Sequence, residues 1–485
     1  MNLFTILDMA CQAFPQRTAL TFEGVSYSYA QLHRASLVAA RLFGNSQCQA
    51  VALQDISSPA IPIALFGAAA AGLTYVPLNY RLSAHELSEL RDRIEPAYFI
   101  ETENRDAFVR ACLDGEVPPS PSEIPINPDA VAVKLFTSGT TGKPKAALLR
   151  HAHLLSYILG SVEFAGAGEE QAQLVAVPPY HIAGISAFLS SIYAGRRIVL
   201  LPNFDPEQWL YLAHSESITN AFVVPTMLVR IVDHLEEHPE FDVPARLASM
   251  AYGGGKMPEA VIRRAMTLFP ATDFTNAYGL TETSSTICLL DPEDHRSALL
   301  SDDAEVRRRL TSVGRPLPGI ELQIRDLEGN PLLTGEAGEV YVKGDQVSGE
   351  YEEKTVISGD GWFPTRDAGY VDNGGYLFLS GRADDVIVRG GENISPGEVE
   401  DVLLKHPAVS DACVVGMQSE DWGEEVAAVV VIKPWLKVSV DQLQMYVQQR
   451  LRSSRVPKQI LFHEELPYNE TGKLLRRVVR EAFRK

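Results

Sequence analysis

Leu135-Phe136-Thr137-Ser138-Gly139-Thr140-Thr141-Gly142-Lys143-Pro144-Lys145 is the stretch from which the rest of the chain can be read. It follows an apolar run of strand length, residues 130–136, broken only by Lys134. Hydroxyls, two glycines and two lysines come next. Backbone N–H groups freed by glycine, with hydroxyl donors and cations beside them, are what a polyphosphate needs to be cradled. A solvent-exposed loop can share this composition, so composition alone leaves both readings open. A Walker A loop is excluded, because there Gly-Lys is followed by a magnesium-ligating Ser or Thr and a helix. Here Pro144 follows Lys143 and offers neither hydroxyl nor N–H. The glycines do not fit the dinucleotide pattern either.

At 485 residues the chain is too long for one hydrophobic core, so two or more domains are expected. A hydrophobic fraction of 46% with 22% charged residues is that of an ordinary globular protein. The net charge of −19 argues against nucleic acid as a partner and against docking on anionic lipid by bulk charge. Anionic substrates must therefore find local positive sites. Cys11, Cys48, Cys112, Cys288 and Cys413 are scattered without a Cys-x-x-Cys pair, which suits a reducing cytoplasm and offers no metal or disulfide framework. Residues 1–15 lack a basic n-region and do not read as a signal peptide. The most apolar stretch, 61–78, is broken by Pro62, Gly67, Gly72 and Pro77. It reads as a buried helix followed by a strand rather than a transmembrane segment.

Short apolar runs alternating with amphipathic stretches over residues 16–110, at 19–22, 49–53 and 98–100, predict a parallel α/β layer. Residues 117–128, rich in proline, read as a surface connection. A strand over 173–177 ends at Pro178-Pro179-Tyr180-His181, and 219–224 with Pro225-Thr226 repeats the pattern. Residues 250–256 form a strand ending in Gly253, Gly254 and Gly255. They are either a tight turn before a helix at Pro258-Glu259 or a place where backbone approaches a flat ligand, and both can hold. In Asn276-Ala277-Tyr278-Gly279-Leu280-Thr281-Glu282 a tyrosine can stack on adenine, a threonine can hydrogen-bond a phosphate, and a glutamate can bind Mg²⁺ through oxygen. Residues 335–344 read as part of a small β subdomain. Ser395-Pro396-Gly397-Glu398 has capping-box spacing and should open a helix running to Leu404. Taken alone, Lys473 with Arg476 and Arg477 is a solvated basic tail.

The 137–145 string resembles the hallmark loop of the adenylate-forming superfamily, which includes acyl- and aryl-CoA synthetases, peptide-synthetase adenylation domains and firefly luciferase. The 276–282 heptad resembles that superfamily's second hallmark. The resemblance runs over nearly the whole chain and is nearest to the AMP-binding acyl-CoA synthetases. It implies an α/β fold: a large N-terminal domain of layered αβ subdomains plus a β subdomain (1–382), and a small mobile α+β C-terminal domain (383–485). The implied reaction joins a small carboxylic acid to ATP with Mg²⁺, then transfers the acyl group to CoA.

The resemblance also implies roles. Thr137, Ser138, Gly139, Thr140, Thr141, Gly142 and Lys145 would cradle phosphates. Gly253, Gly254, Gly255, Asn276, Ala277, Tyr278 and Gly279 would surround adenine, and Thr281 would reach the α-phosphate. Glu282 would be the magnesium ligand. Asp367 and Arg382 would contact ribose or phosphate, although Arg366 stands where the family has glycine, as does Ala146. Lys473 would be the mobile catalytic lysine, Asp384 the hinge, and Gly390 with Gly391 the pantetheine tunnel. His181, Val224, Thr226, Gly253 and Gly254 would line the acyl pocket. Peptide-synthetase domains place an aspartate at the His181 position to hold an amino group, so histidine points to an acid without an α-amino group. Alternatives are a carrier protein as acceptor, a luciferase-type oxidation, and a binding protein or single-half-reaction enzyme. Nothing in the sequence sets the oligomeric state, with which a dimer is compatible.

Overall fold

The structure, a computed structural model, describes residues 1–116, 124, 126–137, 144–326, 328–390, 392–419, 421–468 and 474–483. The chain divides into two compact units. One comprises Met1–Leu310, Pro316–Glu321 and Lys343–Phe363, the other Thr311–Arg315, Leu322–Val342 and Pro364–Lys485.

In the first unit six neighbouring strands run parallel. Their spatial order is Asp273–Leu280, Ser249–Gly253, Asn220–Val223, Ala172–Val175, Arg197–Leu200 and Thr18–Phe22. Antiparallel neighbours flank them, Ser285–Leu290 at one side and Val25–Ser28 at the other. A second sheet holds Ala97–Glu101, Ala50–Gln54, Thr74–Pro77 and Val131–Thr137 in parallel, with Lys145–Arg150 antiparallel at its edge. The layer expected over residues 16–110 is thus split. Thr18–Phe22 turns back on Val25–Ser28 through Glu23 and Gly24, both at positive φ as a tight hairpin demands, and pairs with Arg197–Leu200 in the larger sheet.

Side chains from both sheets meet in one core that includes Phe66, Tyr75, Phe188 and Trp209. Every residue from Ala60 to Ala70 of helix Ala60–Ala71 is buried there. A helix apolar on all sides is a core helix in this setting. Among the described residues no helix is long and apolar enough to cross a membrane.

The second unit carries a four-stranded sheet (Glu321–Arg325, Gly338–Lys343, Phe363–Val371, Leu377–Arg382) and a five-stranded sheet. In the latter, Glu392–Ile394, Ile387–Arg389, Gly423–Ile432 and Val409–Ser419 lie in that order, and Gln459–His463 pairs with Gly423–Ile432. Alternate residues of Val409–Ser419 enter two cores. Ala412 and Val414 pack with Val399, Leu403 and Leu443, while Cys413 and Val415 pack with Leu466 and Val479. Burial on both faces explains why residues 412–415 of that strand are apolar at every position.

Helix Pro396–Leu404 forms over the expected span, but not through a capping box. Ser395 Oγ donates to Ser380 O at 2.5 Å, and Glu398 accepts from Arg455 at 2.7 Å. Arg476 is no solvated tail either. Its guanidinium pairs with both oxygens of the buried Glu400 and donates to Val414 O at 2.8 Å.

Candidate functional site

Four adjacent parallel strands of the first unit deliver expected residues at their carboxyl ends. Ala172–Val175 leads through Pro178 and Pro179 to His181, which opens helix Ile182–Ala194. Asn220–Val223 leads to Val224, which opens helix Pro225–Glu237 with Thr226 in its first turn. Ser249–Gly253 runs into Gly254 and Gly255. Asp273–Leu280 carries Asn276, Ala277, Tyr278 and Gly279, then turns into Thr281 and Glu282. The carboxyl edge of a parallel sheet is where ligands bind in α/β proteins, because strand ends and helix N-termini leave backbone donors there.

Two of the glycines answer first to the sheet. A Cβ on Gly253 would lie 2.2 Å from Ala277 O, and one on Gly279 only 1.8 Å from Ser285 O. Neither position tolerates a side chain even before a ligand arrives. Gly254 sits at φ +82, where a Cβ would be 3.5 Å from Val224 Cγ1. The glycine turn and the expected acyl-pocket residue Val224 therefore adjoin. Behind them Tyr252 OH meets His295 Nε2 at 2.8 Å, and His295 Nδ1 meets Asp291 O at 2.7 Å, which ties the turn to helix Pro292–Leu300.

His181 is held by its backbone. Its N–H donates to Pro178 O at 3.3 Å, and its carbonyl accepts from Gly184 N–H at 3.0 Å. The imidazole is different. Nε2 is out of solvent and has no hydrogen-bond partner among the described residues. Burial pushes the imidazole pKa down to about 4, so the ring is neutral near pH 7. Tyr180 lies 4.7 Å from it, ring centre to ring centre.

Glu282 is 8% exposed and sits in a short 3-10 turn, Thr281–Thr283. Ser284 and Ser285 follow at φ +55 and +111, a pair of non-glycine residues in costly backbone. What holds that turn was not legible in the sequence. Gln346 Nε2 donates to Thr283 O at 3.0 Å and Thr286 O at 2.8 Å, and Ser348 N–H donates to Glu282 O at 2.8 Å. Tyr351 donates its phenol to Glu282 Oε1.

Residues 346–352 also reach strand Lys145–Arg150, which follows the glycine-rich segment. Thr137 and Lys145 face each other across the hairpin that bears it, with Thr137 Oγ1 donating to Lys145 O at 3.4 Å. Ser138, Gly139, Thr140, Thr141 and Gly142 lie outside the described residues, as do Gly391 and Lys473. The hairpin strand Lys145–Arg150 packs on the Thr281–Thr283 turn. Leu148 N–H donates to Glu350 O at 2.9 Å, Arg150 forks onto the Glu350 carboxylate at 2.7 and 2.9 Å, and Glu352 N–H donates to Ala146 O at 3.0 Å. Ala146, where the resemblance expects glycine, is a buried ladder residue opposite Phe136, and its methyl fits. Arg93 joins Glu352 at 2.9 Å to Pro144 O at 2.8 Å, at the foot of the loop. Burial pushes the Glu352 carboxyl up, but hydrogen bonds from Lys134 and Arg93 outweigh it and hold the group below its ordinary value.

In the second unit Asp367 and Arg382 are opposite one another on paired strands, with Arg382 Nη1 at 2.8 Å from Asp367 Oδ1. Arg382 Nη1 also donates to Thr365 O at 3.2 Å. Arg366 adopts φ +63, the conformation for which glycine is the ordinary choice. The departure from the family pattern thus leaves the backbone in place, at a local cost of about 1–2 kcal/mol. Asp384 is exposed in the short turn Ala383–Asp385, while Asp385 beside it pairs with Arg480 at 3.0 Å. Gly390 forms the turn between Ile387–Arg389 and Glu392–Ile394 at φ +57. Tyr468 and Leu474, the described residues on either side of 469–473, bridge to each other.

Among the described residues no three His, Cys, Asp or Glu side chains converge as a metal cage. One buried carboxylate, Glu282, fits the other arrangement, in which Mg²⁺ is held by one or two carboxylates and substrate phosphates.

Comparison with known proteins bears on this arrangement. A model of AMP-binding enzymes matches residues 7–352, and one of the AMP-binding enzyme C-terminal domain matches 398–473. The 2-succinylbenzoate–CoA ligase of Bacillus mycoides is 32% identical over 484 residues, with 96% of each chain covered. A fatty acid–[acyl-carrier-protein] ligase, ScoC, of Streptomyces coeruleorubidus is 32% identical, covering 97% of this chain and 94% of its own. The o-succinylbenzoate CoA synthetase of Bacillus subtilis, solved with its acyl-adenylate intermediate, has a TM-score of 0.84 at 29% identity, covering 99% of this chain and 98% of that one. With ATP and magnesium ion bound, that enzyme has a TM-score of 0.82 at 30% identity, over 97% and 98%.

Proposed function

The chain belongs to the AMP-binding enzyme family, and from that premise we propose how it works as an AMP-forming acid–thiol ligase. A carboxylic acid and ATP give acyl-adenylate and pyrophosphate. A thiol, that of CoA, then takes the acyl group and AMP leaves. The observation that carries this reading is the shared strand-end rim. His181, Val224, the glycine turn, Tyr278 and Glu282 end or follow neighbouring strands, and strand Lys145–Arg150 packs on the Thr281–Thr283 turn.

The first step brings two anions together, so the protein's task is to cancel charge as the α-phosphorus becomes five-coordinate. Thr281 hydrogen-bonds the α-phosphate, Lys145 and the loop at 138–142 hold the outer phosphates, and Lys473 approaches the bridging oxygens. Glu282 would hold Mg²⁺, which when bound would supply charge neutralisation at the phosphates. Tyr278 stacks on adenine, and Asp367 accepts from ribose hydroxyls. No general base is required, because a carboxylate is already ionised near pH 7.

His181 narrows the acid. A neutral imidazole offers no charge to an ammonium group, so the substrate is an acid without an α-amino group. For the second step Lys473 withdraws and Gly390 with Gly391 lines the thiol's path, the segment from residue 383 onward turning at Asp384. A cytoplasmic location belongs to the same proposal.

A pyrophosphate-release screen across carboxylic acids, with and without CoA, tests the reaction. Acid-dependent release followed by CoA-dependent AMP and thioester is expected, and thioester formed without ATP consumption would overturn it. Lys473→Ala should lower adenylation by about 10² or more while sparing thioester formation from supplied acyl-adenylate. Equal loss in both steps would remove Lys473 from its role. Because one relative is a carrier-protein ligase, the second acceptor to try is an acyl carrier protein.

A further inference from the structure

We propose that Tyr351 is a positioning residue for the cation-binding carboxylate, holding Glu282 Oε1 so that Oε2 is presented to magnesium. This rests on the reading of Glu282 as the metal ligand. Three observations lead to it. The phenol of Tyr351 donates to Glu282 Oε1 from a residue 69 positions away, so the contact is made by the fold and not by local chain geometry. The backbone of Glu282 is already fixed, since its carbonyl accepts from Ser348 N–H at 2.8 Å and Gly349 N–H at 3.2 Å. The tyrosine's own backbone is fixed from the other side, bridging to Ala147 in the strand behind the glycine-rich loop.

A glutamate carries three side-chain torsions, and freezing them on binding costs entropy. Here that ordering is done before the ligand arrives. Tyr351 does not serve as a core filler, because it is only half-buried. Its donor is neutral, which distinguishes it from an arginine: it orders the carboxylate without cancelling the charge that attracts a cation. Outer groups that orient metal ligands commonly alter affinity by about 10–100-fold.

The test is Mn²⁺ binding to the full-length enzyme with a non-hydrolysable ATP analogue, read by electron paramagnetic resonance rather than by turnover. For Tyr351→Phe we expect Mn²⁺ affinity to fall about tenfold or more. Metal-free AMP affinity should stay at its wild-type value, and Tm should fall only slightly, by the loss of one hydrogen bond. In a Glu282→Gln background the same change should add nothing. Mn²⁺ affinity within twofold of wild type overturns the inference. So does a loss matched by equal losses in AMP affinity and Tm, which would mark a structural role. Unchanged Mn²⁺ affinity in Glu282→Gln alone would instead sink the ligand reading of Glu282. If Glu282→Gln abolishes binding and Tyr351→Phe leaves it intact, only the role of Tyr351 fails.

Discussion

Glu282 and Asp367 are each 8% exposed, yet the two units prepare them in opposite ways. Glu282 receives a hydrogen bond from the neutral phenol of Tyr351, and Asp367 receives one from the guanidinium of Arg382. A neutral donor orders a carboxylate and leaves its charge to act. A cationic donor cancels the charge and leaves lone pairs suited to neutral hydroxyls. On the proposed roles, the same side-chain chemistry would serve a cation in one unit and a sugar in the other, and the partner decides which.

The largest effect expected from breaking this contrast is on the first carboxylate. Glu282→Gln should lower adenylation by about 10²–10³ in a pyrophosphate-release assay. Folding stability should change by less than about 1 kcal/mol, because the amide oxygen still accepts from Tyr351. Asp367→Asn should reverse the pattern. It strips the counter-ion from Arg382, whose side chain is 37% exposed. The loss therefore falls between that of a surface pair and that of a buried one, about 1–2 kcal/mol in urea unfolding. Metal dependence should be untouched while the nucleotide KM rises about tenfold. Equal destabilisation by the two substitutions would remove the distinction.

Arg366→Gly sharpens the second half of the comparison. Relief of the left-handed φ, less the added freedom of the unfolded chain, should leave the protein roughly 0.5–1 kcal/mol more stable. A fall in Tm would mean that the arginine side chain does more for strand Phe363–Val371 than its backbone costs. The smallest expected effect lies at His181, in the proposed acyl pocket. His181 has a folded pKa of about 4, below the ordinary 6.5, as does the buried His151. As pH falls from 6.5 toward 4 the unfolded chain takes up protons that the native state refuses, so stability should decline across that window. His181→Gln should flatten the decline, which urea melts at stepped pH would register.

The strands and both hallmark segments were legible because their information is local: apolar runs of strand length, glycines beside hydroxyls, a tyrosine and a glutamate at fixed spacing. The bracing of Glu282 was not. Glu350-Tyr351-Glu352-Glu353 looks like a solvated run of charge, and its partners lie tens to hundreds of residues away. Ser395 misled for a related reason, since local spacing cannot reveal that Ser380 O competes for its hydroxyl. Arg476 reads as solvent-facing in sequence because Glu400, with which it pairs, is 76 residues upstream. Arg366 was legible as a departure, and only its φ revealed that the backbone absorbs it.

The span from Gln346 to Glu352 has a further consequence, for biosynthesis. It joins Leu148 and Arg150 across 200 positions and Arg93 across 259. A growing polypeptide leaving the ribosome N-terminus first therefore displays both hallmark segments long before the piece that pins them together has been translated. A nascent chain halted near residue 340 should sequester its core yet leave the Glu282 turn unbraced, and bracing should appear only once the Gln346–Glu352 span has left the ribosome.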